Sequence, residues 1–116
     1  MNLEDTLQHL KALSSLTRFR ILNLLYQSNQ LLSQEQLVDA LDVSKSNVSR
    51  HAKILHNAEL ILQWKEGRSV HYKLNADLKP GSILDVIKEF QDNPKLKHDL
   101  KKLKAKSTKR IQTRNR

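Results

Sequence analysis

The stretch "LDVSKSNVSRHAKILHNAEL", residues 41–60, decides how the whole chain is read. Ser44 belongs to the residue types that cap helices, and it stands just before a run with helical periodicity. At about 100° per residue, Ala52 and Leu55 fall within about 40° of Val48, so these three make one apolar stripe. Ser46, Arg50, Lys53 and Asn57 fall roughly opposite, with Ser49 beside them. The outward face thus carries two hydroxyls, one amide and two cations, and no acid. Alone, such a face suits an ordinary amphipathic surface helix as well as a binding surface. Its neighbours in the chain decide between the two.

Upstream, Leu3, Leu7 and Leu10 recur at helical spacing, and Glu4 and Asp5 sit where a helix dipole favours negative charge. Ser15 can cap a second helix that buries Leu16, Phe19, Leu22 and Leu25 or their neighbours. Ser33 and Gln36 form an S-x-x-Q capping box with Leu32 as its staple, predicting a short helix from about Gln34 to Leu41. A tight turn then leads into the Ser44 helix. Downstream the period changes: Val70, Tyr72 and Leu74 alternate with Ser69, His71 and Lys73, as in a half-buried strand. Gly67 supplies the positive φ of a hairpin turn. "KPGS" at 79–82 resets the chain, Ser82 caps a helix carrying Ile83, Leu84, Val86, Ile87 and Phe90, and Asn93–Pro94 ends it and can start another. The order is helix, helix, helix, helix, hairpin, helix. Two short helices joined tightly and followed by a β-hairpin describe a winged helix-turn-helix, a mostly α fold with a β-hairpin wing. In such modules the second helix of the pair enters the DNA major groove.

Composition agrees with this class. The chain has 116 residues, 38% apolar and 28% charged, which fits one soluble domain with a thin core. Two glycines and two prolines leave little room for a turn-rich β fold. No apolar run nears the roughly 20 residues that span a bilayer, and "MNLEDTLQHL" has no basic leader, so a cytoplasmic location is expected. The sequence holds no cysteine, which removes disulfides, thiolate metal sites and thiol switching. The net charge of +9 is uneven. Residues 1–78 carry 9 Lys/Arg against 8 Asp/Glu, and residues 79–116 carry 12 against 4. A basic excess of this kind points to nucleic acid or an anionic surface. Residues 1–92 are therefore expected to form the DNA-binding and dimerisation domain. Residues 93–116 are expected to be a basic C-terminal helix or tail, partly disordered and loose over its last ten or so residues.

On the reading helix, Arg can grip guanine and Asn adenine through paired hydrogen bonds, while Lys and Ser suit phosphates or base edges. Ser44, Lys45, Ser46 and Asn47 form its first turn, where free backbone N–H groups attract phosphate. With Ser49, Arg50 and Lys53 they make the expected DNA contacts. Lys65 and Arg68 flank the wing turn and can reach phosphates or a minor groove.

"LKALSSLTRFRILNLL", "LVDALDVSKSNVSRHAKILHNAELI" and "EGRSVHYKL" together resemble the ArsR/SmtB family of bacterial transcriptional repressors. The most specific pieces are T-R-F-R-I at 17–21, V-S-R-H-x-K-x-L at 48–55 and E-G-R at 66–68. The resemblance implies a homodimer whose first and last helices pair across a two-fold axis, and a palindromic operator on double-stranded DNA. Leu3, Leu7, Leu10, Ile83, Ile87 and Phe90 are the expected dimer contacts. Two departures stand out: Asp42 occupies a turn position where the family usually has Gly, and Glu59 replaces the usual Gly after the reading helix.

The family's metal switches are the other departure. Its cysteine pair has no counterpart in "LLSQEQLVDAL". Of the Asp/His set on the last helix only Asp85 and His98 are present. Ile87 and Lys101 stand at the other two positions, and Pro94 interrupts the helix between them. No metal and no cofactor are expected. Control by abundance, by a protein partner or by an organic effector all stay open. His51 is expected to pack or to make a structural hydrogen bond. An enzyme is not expected, because no nucleophile, phosphate-loop or zinc-protease motif is present. The rival readings are a winged-helix protein–protein adaptor and an RNA-binding module using the basic tail. A cationic reading face separates both from a duplex-DNA reader.

Overall fold

The computed structural model describes the backbone over residues 2–78 and 82–114, with side chains as far as Ala105. Six helices and three strands follow in order: α1 (Leu3–Ala12), α2 (Leu16–Ser28), β1 (Leu32–Ser33), α3 (Gln34–Leu41), α4 (Lys45–Asn57), β2 (Ile61–Glu66), β3 (Ser69–Leu74), α5 (Ile83–Glu89) and α6 (Pro94–Arg114). The chain is a winged helix-turn-helix, with α3 and α4 as the helix pair and β2–β3 as the wing.

The expected caps are present. Ser15, Ser33 and Ser44 each accept a backbone N–H three residues on, and Ser82 accepts that of Leu84; Asn2 caps α1 in the same way, a cap the sequence reading did not name. Gln36 closes the capping box by accepting the Ser33 N–H at 2.8 Å. Asn93 accepts from the backbone of Lys95 and Leu96, so Asn–Pro opens α6. The turn expected at Lys79–Gly81 lies outside the described residues.

The sheet has the order β1-β3-β2, all antiparallel. Leu32 pairs with Tyr72 and Ser33 with His71, so the residues expected as staple and cap also form a third strand. Two residues are too few to show a period of two. The core gathers Ile21, Leu22, Leu24 and Leu25 of α2, Leu37 and Leu41 of α3, Val48, Ala52 and Leu55 of α4, and Tyr72 of the wing. Leu16, expected inside, is exposed, and Phe19 is half-buried against Phe90 with ring centres 5.8 Å apart.

Helix α2 is enclosed over six successive residues, Arg20 to Leu25. Enclosure traps the Arg20 guanidinium, which must be satisfied inside the protein. It donates to both Asp99 carboxylate oxygens, at 2.8 and 2.9 Å, and to the Leu41 carbonyl at 2.7 Å. Leu41 ends α3, where helix carbonyls lack intrahelical partners. One side chain therefore ties α2 to the end of α3 and to α6.

This tie fastens α6 to the helices before it. Leu96, Asp99 and Leu103 of α6 are buried, and Leu103 belongs to the common core. The backbone is also helical to Arg114, beyond the point where a loose tail was expected. Residues 95–114 contain no Gly or Pro and are rich in strong helix formers. The tail's side chains from Lys106 onward lie outside the described residues.

Left-handed backbone brackets the reading helix. Asp42 closes α3 at φ 54°, and Glu59 follows α4 at φ 62°. Around Glu59 the N–H groups of Glu59 and Leu60 donate to the carbonyls of His56 and Leu55. That is the Schellman pattern, with Leu60 and Leu55 in apolar positions. Asn75 donates to the Glu59 carbonyl at 2.8 Å and holds the strained residue in place.

Replacing Arg20 by Ala strands the buried Asp99 carboxylate, and a loss of about 3–5 kcal/mol is expected in denaturant unfolding. Combining Arg20→Met with Asp99→Leu should recover most of it. A single-variant loss below about 1 kcal/mol would show that the pair does not hold α6. Glu59→Gly should raise stability by about 0.5–1 kcal/mol in the same assay, because Gly removes the left-handed penalty.

Candidate nucleic-acid interface

Helix α4 is placed by its apolar stripe. Val48, Ala52 and Leu55 are wholly buried. Ser44, Lys45, Ser46, Asn47, Ser49, Arg50 and Lys53 are all exposed. The expected reading residues therefore share one solvent-facing surface, and no acid stands among them. Ser44 Oγ accepts the Asn47 N–H at 3.2 Å and lies 3.3 Å from Ser46 Oγ. Arg50 Nη2 donates to Asn47 Oδ1 at 3.0 Å, so these two side chains are pre-oriented on each other.

The wing follows directly from α4. β2 and β3 pair from Ile61↔Leu74 to Glu66↔Ser69, leaving Gly67–Arg68 as a two-residue turn. Among the turn residues only Gly67 has positive φ, at 61°, which fits a type II′ turn. No atom lies within 4 Å of a Cβ built there, so it is the backbone angle that calls for glycine. Lys65 and Arg68 are exposed at this tip, with Glu66 between them in sequence.

Sequence reasoning missed the partners of His51. Its Nδ1 lies 3.1 Å from Arg18 Nη1, and its Nε2 lies 3.5 Å from Arg50 Nη2. The Arg18 Nε also donates to the Ala12 carbonyl at the end of α1. Burial, then Arg50, then Arg18 hold the His51 pKa below its ordinary value. The usable signal was Arg18 in T-R-F-R, but a contact across 33 residues has no periodicity to betray it.

The expected dimer contacts divide. Leu3, Leu7, Leu10 and Phe90 are 72%, 56%, 46% and 50% exposed. Ile83 and Ile87 are 5% and 0% exposed, buried in the chain's own core. Helix α5 is short, and these two isoleucines fasten it inward. A cavity of about 310 Å³ opens beside the exposed side, lined by Leu13, Leu16, Phe19, Phe90 and Leu96 among others. Asp85, one residue of the family's metal pattern, lies 3.9 Å from the Lys88 ammonium. Among the described residues no helix is long and apolar enough to cross a membrane.

Comparison with known proteins agrees with this geometry. The family model "Bacterial regulatory protein, arsR family" matches residues 15–62, from the cap of α2 into β2. The arsenical resistance operon repressor of Escherichia coli (strain K12) is 38% identical over 83 residues, which is 72% of this chain and 69% of that one. The transcriptional repressor SdpR of Bacillus subtilis (strain 168) is 33% identical over 73 residues, covering 63% and 79% of the two chains. Among solved structures, HlyU from Vibrio cholerae N16961 superposes with a TM-score of 0.63 at 26% identity, covering 77% of this chain and 90% of that one. The transcriptional regulator HlyU from Vibrio vulnificus CMCP6 gives 0.60 at 30% identity, covering 79% and 97%. With its helix pair and wing, and with relatives that align over most of its length, the chain belongs to the arsR family of bacterial regulatory proteins.

Proposed function

We propose that the chain is a sequence-specific DNA-binding regulator that represses transcription by occupying a palindromic operator as a homodimer. The observation that carries this reading is the acid-free, exposed face of α4, held outward by a fully buried stripe. Two of the relatives are named as repressors, which supports the direction of the effect.

In this reading the first turn of α4 meets the backbone of the duplex, where its free N–H groups and Lys45 neutralise phosphate. Arg50, held by Asn47 Oδ1, reaches a base pair, and the Asn47 amide nitrogen donates beside it. Lys53 and the wing residues Lys65 and Arg68 add sequence-independent contacts. The exposed leucines of α1, with Leu16 and Phe90, give each protomer an apolar side that a second copy covers, placing two α4 helices on two half-sites. Cysteine-based sensing is closed to this sequence, which contains none. Control then rests on abundance, a protein partner or an organic effector.

Arg50→Ala should weaken operator binding by about 1–3 kcal/mol and relax preference at one base pair per half-site. Lys53→Gln should weaken binding to all sequences alike and reduce the salt slope by about 1 per contact. Gel-shift titration over several salt concentrations checks both. Unaltered operator affinity in the Arg50 variant would remove α4 as the reader. Leu7→Asp should sediment as a monomer and lose operator affinity, and a dimeric Leu7→Asp would remove α1 from the interface.

A further inference from the structure

The contacts of His51 have a chemical consequence that rests on the DNA-reading role of α4. A neutral imidazole has one N–H and one acceptor nitrogen. Arg18 is donor-only, and its Nη1 is 3.1 Å from Nδ1, so Nδ1 must be the acceptor. The proton then sits on Nε2. Arg50 Nη2, 3.5 Å from Nε2, is also a donor, so the two cannot bond. Arg50 instead gives that nitrogen to Asn47. The result is an imidazole N–H left unspent beside the guanidinium that faces the duplex.

We propose that His51 is a specificity-determining residue, donating its Nε2–H to an acceptor on the DNA next to the base pair read by Arg50, and that Arg18 is a positioning residue that fixes this tautomer. An acceptor is what a purine N7 or O6 offers, so the donor suits the duplex edge that Arg50 approaches. Donor facing donor also keeps Arg50 from folding back onto His51, leaving the guanidinium directed by Asn47 alone. The charged groups facing the ring, Arg18 from α2 and Arg50 from α4, both oppose its protonation. Protonation would put a second N–H against Arg18 and break the bond that sets the ring. Arg18 itself is anchored at its other end by the Ala12 carbonyl, so the ring is referred to the end of α1.

Two measurements test this. Long-range nitrogen–proton NMR of the full-length protein at neutral pH should show His51 as the Nε2–H tautomer, and a mixture in Arg18→Met. An Nδ1–H ring in the unsubstituted protein overturns the proposal whether or not any variant folds. Operator titrations against DNA carrying single base changes form the second arm. Arg18→Met and His51→Phe should each lose about tenfold in operator affinity, as expected for one hydrogen bond to a charged or polar acceptor. They should also lose discrimination near the Arg50 base pair, with the salt slope and oligomeric state unchanged. His51→Gln, whose amide can accept from Arg18 and donate outward, should recover most of both. Equal discrimination in Arg18→Met, His51→Phe and unsubstituted protein overturns the proposal while leaving α4 as reader. Loss of operator binding with no rescue by Gln assigns His51 a packing role only and likewise overturns it. The Arg50→Ala titration separates these results from failure of the DNA reading itself.

Discussion

The structure hangs on the buried guanidinium of Arg20. Isolated charges are costly inside a protein, and this one is tolerated because three acceptor contacts meet it at normal hydrogen-bond lengths. Two belong to Asp99, 79 residues away, and the third is the last carbonyl of α3. The pair fixes where α6 lies and also where α3 stops. Since Asp42 turns the chain immediately afterwards, the end of α3 sets the start of α4. A buried polar constraint thus sits at the end of α3, just before the turn into α4.

The exit of α4 is controlled by a different device. Glu59 accepts a left-handed conformation that glycine would take without strain, and it does so inside a Schellman turn pinned by Asn75. The next residues, Leu60 and Ile61, are buried, so the wing begins from a fixed point rather than from a slack linker. Entry and exit are both rigid. Between them Lys45, Ser49 and Lys53 stay exposed.

Much of this was legible in the residues. Caps at Ser15, Ser33 and Ser44, the stripe of Val48, Ala52 and Leu55, and the alternation around Tyr72 are local signals, and local signals survive into the fold. What stayed hidden was set by contacts between distant segments. Strand β1 is only Leu32–Ser33 and exists because β3 lies beside it. The spacing of Ile83 and Ile87 marks an apolar face, but not whether that face meets its own core or a second chain. Leu16 sits at core spacing yet faces solvent at the start of α2. In the site, Ser46, Ser49, Arg50 and Lys53 could be placed on one face of α4 from helical geometry. Arg18 could not be joined to His51, because nothing in either segment encodes the approach of α2 to α4.

That approach gives T-R-F-R a physical meaning. Arg18 and Arg20 are two residues apart, so they leave α2 about 200° apart around its axis. Arg20 turns toward α3 and α6 and meets the last carbonyl of α3 at Leu41. Arg18 turns the other way and meets the middle of α4 at His51. One helix therefore holds α4 at its middle and the end of the helix before it, through two cations. A rotation of α4 about its own axis would have to break the Arg18–His51 contact, even where the apolar stripe alone would let it roll. On the proposed reading, in which side chains of α4 meet base edges to within a hydrogen-bond length, resistance to rolling is a condition of reading sequence at all.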